Sequence, residues 1–170
     1  TQPELGVQRA FAELGGALVG DGGGGGNAKV GFNVPVGDRT ALRVAGYYTR
    51  MPGYVDAVQP DLSVDENVND GFRTGVRAAV RFAPDGLWSV TPRILYQSVR
   101  MDGWNRIDTF NILANPYTTT RPAVTLDERR QFTQLEEDFT DDFFLADLNL
   151  NYRFGDLALT SITSYSYRDV

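Results

Sequence analysis

At 170 residues the chain is long enough for one ordinary domain with a sizeable core, yet no run approaches the ~18 consecutive apolar residues of a membrane-spanning helix. Cysteine and histidine are both absent, which removes the usual structural zinc sites, thiol nucleophiles and Ser-His-Asp arrangements. The net charge of −6 is unevenly spread: five of the 22 acidic residues fall in 52–70 and seven in 126–142, and no clustered Lys/Arg face of the nucleic-acid-binding kind is present.

The N-terminus, TQPELGVQRAF, shows no basic region followed by an apolar core, so no signal peptide is visible in it. The chain is expected to begin and end inside a repeating strand pattern, as a stretch of a longer protein. Segments 7–19 and 28–36 alternate loosely in polarity, and the glycine run Gly22 to Gly26 between them reads as a flexible surface loop over 20–27. A phosphate loop is not indicated. That motif needs Gly-Lys-Ser/Thr before a helix, whereas Asn27 and Ala28 precede Lys29 and a strand follows.

Segment 39–51 sets Leu42, Val44, Gly46 and Tyr48 against Arg43, Ala45, Tyr47 and Thr49. After a polar link over 51–70, segment 71–83 carries the clearest period of two: Phe72, Thr74, Val76, Ala78, Val80 and Phe82 oppose Arg73, Gly75, Arg77, Ala79 and Arg81. A helix would scatter the three arginines; a strand lines them up on one wet face. Segment 87–101 places Trp88, Val90, Ile94 and Tyr96 against Ser89, Thr91, Arg93 and Gln97. A long link over 101–141 leads to 142–154, where Phe144, Ala146, Leu148, Leu150, Tyr152 and Phe154 oppose Asp147, Asn149, Asn151 and Arg153, and 157–169 closes the series.

Seven antiparallel strands result, with no helix. Tight connections fall at Gly37-Asp38, Pro84-Asp85-Gly86 and Gly155-Asp156, alternating with the longer links. Short turns at one end and long loops at the other are the pattern of a transmembrane β-barrel, with tight periplasmic turns and long extracellular loops. The strands exceed the ~5–6 residues usual in soluble sheets and match the ~9–11 that cross a bilayer at a tilt. Phe82, Trp88, Tyr152 and Phe154 lie beside the tight turns, and Tyr48, Tyr96, Tyr165 and Tyr167 toward the other ends, as two interfacial girdles require.

Several phrases then resemble a known family. The run 31–56, with Asn33, Pro35, Leu42, Arg43, Gly53, Tyr54 and Asp56, resembles the strand series of TonB-dependent outer-membrane receptors; 67–97 looks like that family's next hairpin and 159–169 like another of its strands. The resemblance covers most of 28–170 and is one of strand dialect, without a catalytic motif. It implies that residues 1–170 are part of a single receptor barrel domain, with the plug domain and the remaining strands off this chain. It further implies the outer membrane of a Gram-negative bacterium and energised uptake of a small-molecule or metal-chelate ligand such as a siderophore-iron complex, cobalamin or a glycan. Partners would be the lipid bilayer, the protein's own plug and the TonB complex. Two other readings stay open: a self-contained outer-membrane porin or adhesin-type barrel, and a soluble carbohydrate-binding β-domain.

For the sites, Arg43, Arg73, Arg77, Arg81, Arg93 and Arg153 share the polar faces and are expected to line the lumen. The resemblance implies that they meet plug carboxylates; ordinary lumen wetness is the plainer alternative. Ligand contacts are expected in the long loops, where Tyr54, Trp104, Phe110 and Tyr117 offer rings and Arg106, Arg121, Arg129 and Arg130 offer charge. The acidic group Glu136, Glu137, Asp138, Asp141 and Asp142 lacks the spacing of a calcium loop and reads as a solvated loop. No pair of carboxylates is fixed for glycosidase-type work. Neither catalysis, nor a cofactor, nor a metal site is expected.

Overall fold

The computed structural model describes residues 2–108, 128–133 and 137–170. Among them there are strands and no helix. Seven strands, β1 (Arg9–Leu18), β2 (Gly24–Pro35), β3 (Thr40–Met51), β6 (Gly71–Phe82), β7 (Trp88–Met101), β9 (Phe139–Phe154) and β10 (Leu157–Asp169), form one antiparallel sheet in that order. The sheet is open. β1 and β10 are its edges and are not paired with each other, so the architecture seen is an antiparallel all-β sheet and not a closed barrel. No helix is long and apolar enough to cross a membrane, which says nothing of crossing by strands.

Each tight connection is built by residues suited to it. Gly37, Gly86 and Gly155 take positive φ, where a Cβ is costly, and the Asp85 carboxylate accepts the Leu87 and Trp88 N–H groups at 3.0 and 3.3 Å. Register then follows from the turns. Pro92 stands in a central strand with no N–H to give, and the β6–β7 ladder lacks the two pairs, Val80–Pro92 and Arg81–Thr91, between Ala79–Arg93 and Phe82–Val90 while keeping its register.

Three features differ from the sequence expectations. First, the glycine run is not a loop: Gly24–Gly26 belong to β2, and only 19–23 connect it to β1. The Gly23 N–H donates to the Gly53 carbonyl at 2.8 Å, and Cβ atoms at Gly22 or Gly25 would collide with Gly53 or Pro52. Glycine is needed there for close backbone approach. Second, the long links are not structureless. Short strands β4 (Asp56–Val58), β5 (Val64–Asp65) and β8 (Arg130–Phe132) form a second sheet in the order β5-β4-β8, with β4 and β8 parallel. Third, β9 starts at Phe139, so Asp141 and Asp142 lie on a strand and not in a solvated loop. Two arginines explain this: Arg168 forks onto Asp141 with two bonds of 2.8 Å, and Arg100 reaches Asp142 at 2.6 Å.

Burial in the large sheet is inverted. The face carrying Phe32, Val76, Ile94, Leu148, Leu150 and Tyr165 is exposed, with Ile94 at 52% and Tyr165 at 64%. The other face buries Asn33, Ser89, Thr91 and Asn149, all below 9%. Buried apolar side chains are few and small, and three of them, Val55, Ala57 and Val58, belong to the small sheet and its approach.

Candidate functional site

The strand register brings all six arginines singled out from the sequence to the polar face. One row across the sheet runs Arg9, Asn33, Arg43, Ala79, Arg93, Asp147, Ser164. The next runs Phe11, Gly31, Ala45, Arg77, Leu95, Leu145, Ser166, and beyond it Thr49, Arg73 and Val99 align. Arg81 pairs with Ala41 and Arg153 with Ala158 toward the tight turns.

Their surroundings differ. Arg93 donates to Asp147 at 2.6 Å, with side chains 23% and 8% exposed. Arg43 approaches Glu4 at 3.8 Å. Arg73 lies 5.7 Å from the Tyr47 ring centroid, a cation–π distance, and the Tyr47 hydroxyl donates to Gln97 at 2.7 Å. Among the described residues Arg73, Arg77, Arg81 and Arg153 meet no carboxylate, and the Arg81 Nε is buried without a hydrogen-bond partner. The face therefore carries uncompensated positive charge along its length.

Three recesses follow that line. Near the tight turns, one of about 440 Å³ includes Arg81, Arg153, Ser89 and Asn151. At the centre, one of about 370 Å³ is lined by Lys29, Arg43, Arg77, Tyr47, Gln97 and the apolar Phe11 and Leu95. Glycines shape it: Gly75 lies under the Tyr47 ring and Gly31 under Phe11. Toward the long loops, one of about 590 Å³ joins Arg73 to Trp104 and Arg106, with Met51, Met101 and Phe139.

Of the loop residues singled out, Trp104 and Arg106 are thus brought to Arg73. Trp104 packs on Phe139 at 5.2 Å between centroids, and Arg106 pairs with Glu137 at 3.1 Å and Asp108 at 3.6 Å. Tyr54 stands apart, its N–H held by Asn69 at 2.7 Å. Phe110, Tyr117 and Arg121 lie outside the described residues, as does Glu136. Arg129 donates to the Gly20 carbonyl at 2.6 Å.

Sequence reasoning missed the N-terminal segment. Residues 2–8 are not strand but lie against the polar face. Asn33 holds them with three bonds: its amide accepts the Glu4 N–H at 2.9 Å and donates to the Glu4 and Val7 carbonyls at 2.9 and 2.6 Å. Pro3 is fully buried, and Glu4 serves both Arg9 and Arg43. The only sequence signal was Asn33 itself, a polar side chain in a strand. No protein-family model, curated protein or solved structure matches the chain.

Proposed function

We propose that this sheet is part of an outer-membrane β-barrel of the TonB-dependent receptor type, its arginine face lining the lumen and its apolar face meeting lipid. The observation that carries the proposal is the inverted burial: large apolar side chains point out while Asn, Ser, Thr and Arg point in, the reverse of a water-soluble domain and the rule in barrels. Ring pairs support it. Phe82 and Trp88 meet at 5.6 Å near the tight turns, and Tyr48 and Phe72 at 5.9 Å near the long loops. Phe72 and Phe82 end the same strand, ten residues apart or about 33 Å at ~3.3 Å per residue. A tilt of ~40° reduces this to about 25 Å, the height of a barrel's apolar band. The two sheet edges would join further strands of the same barrel.

The function is ligand passage and not catalysis. Cationic recesses on the lumen face suit an anionic or chelate ligand, or the acidic side chains of an inserted plug, and Trp104 with Arg106 and Arg73 supplies a ring and charge for first contact. Lipid quenching tests the facing. The chain has no cysteine, so single cysteines at Val76 and Arg77 can carry a fluorophore in vesicles containing doxyl-labelled lipid. Quenching strong at 76 and weak at 77 is expected; equal quenching refutes the assigned faces.

A further inference from the structure

A recess of about 400 Å³ between the small sheet and the loop ends of β6 and β7 differs in kind from the arginine face. Six carboxylates line it: Asp65, Glu66, Asp70, Asp102, Glu137 and Asp138. No lysine or arginine does, although Arg50 reaches Asp70 at 3.3 Å and Arg106 reaches Glu137 at 3.1 Å from outside. Like charges this dense repel one another unless a cation is present.

A second observation is independent of the charge. Gln131 and Thr133, 2% and 7% exposed, also form the wall. Their side-chain oxygens, and that of Asn67 beside them, have no hydrogen-bond partner. Buried oxygens without partners are destabilising and uncommon unless something binds them. Three in the wall of one acidic recess point to a shared ligand that accepts oxygen donors.

We propose that this recess binds one hard divalent cation of the calcium type, held by the Asp70–Asp102 pair and the neutral oxygens of Gln131 and Thr133. Every donor is oxygen, which suits calcium and not a softer metal. As placed, no three carboxylates converge on a point among the described residues; two carboxylates supply the charge, neutral oxygens complete the shell, and the remaining acids focus the field. The Asp102 carboxyl is raised above its ordinary range by partial burial and by its hydrogen bond to Asp70. Because Asp70 precedes β6, Asp102 follows β7 and Gln131 lies on β8, the ion would clamp the small sheet to the end of the large one.

The test is calcium titration of the full chain in detergent by calorimetry, with Asp102→Asn and Thr133→Val. Thr133→Val is isosteric and removes a hydroxyl that bonds nothing, so the fold persists. One saturable site is expected with a Kd of about 10⁻⁴–10⁻³ M, weakened at least tenfold by Asp102→Asn and severalfold by Thr133→Val, with magnesium binding more weakly. Absence of saturable binding up to about 10 mM, beyond the weakest range typical of such sites, overturns the proposal. So does binding that either variant leaves intact.

Discussion

Placing arginine at Ile94 tests the facing most severely. Ile94 is 52% exposed on the apolar face, in a row with Val44, Ala78 and Ala146. Its partner Ala78 stands four residues from Phe82 and six from Phe72, about 13 and 20 Å along the strand. In the proposed barrel, with a ~40° tilt, Ile94 would lie about 10 Å from one aromatic belt and 15 Å from the other, close to mid-band. An arginine there would cost about 2–4 kcal/mol in lipid, roughly a 30- to 900-fold loss in the folding equilibrium. Val76→Arg, which by the same count lies about 10 Å from the Tyr48–Phe72 belt and 15 Å from the other, costs about as much. Arg77→Leu, on the opposite face and without a carboxylate partner, changes the equilibrium little. Guanidinium unfolding of the chain from phosphatidylcholine vesicles, followed by tryptophan emission, measures all three. Equal effects of Ile94→Arg and Arg77→Leu, or a neutral Ile94→Arg, refute the reasoning.

Further outcomes are expected from the polar face and the loop end. Gly75→Ala puts a Cβ 2.6 Å from the Tyr47 ring; the ring must leave Gln97 and Arg73, and the same unfolding assay should show a loss of about 1–3 kcal/mol. Asp147→Leu leaves Arg93 half-buried and unpaired, at a cost of about 2–3 kcal/mol, and the Arg93→Leu/Asp147→Leu double variant recovers part of it in a double-mutant cycle. For Asp102 the folded state binds its proton more tightly than the unfolded chain does. The group therefore favours folding below the unfolded pKa of about 4, and this is lost as pH rises through the raised folded value. Without added cation, Asp102→Asn should match the native chain near pH 3 and exceed its stability at pH 7; thermal melts across that range check the sign.

What was legible in the sequence was whatever the period of two could carry. Segment 71–83 shows both faces in full, and the strand found, Gly71–Phe82, agrees with it to within a residue; 157–169 agrees throughout. Glycine has no side chain to alternate, so Gly24–Gly26 reveal their strand only through the packing of Pro52 and Gly53. Asp141 and Asp142 look like a loop because their counter-charges, Arg168 and Arg100, sit on neighbouring strands distant in sequence. The pieces β4, β5 and β8 have two or three residues each, too few for any period to register. The arginine face was readable for the same reason as the strands. The meeting of Arg73 with Trp104 and Arg106 was not, because it depends on how the loops return over the sheet end.

Inverted burial also redistributes which substitutions the fold tolerates. In a water-soluble core, trimming one methylene opens a void and is felt at once. Here Ile94→Val or Leu148→Val removes atoms that no neighbouring side chain encloses, so the outward side can drift freely among apolar residues of any shape. The constraint moves to small polar groups buried on the inward side; at Asn33 a swap as mild as asparagine to leucine strands three hydrogen bonds at once. Such a molecule would keep its fold through a vocabulary of amides and hydroxyls, while its hydrophobic residues set only the solvent it can live in.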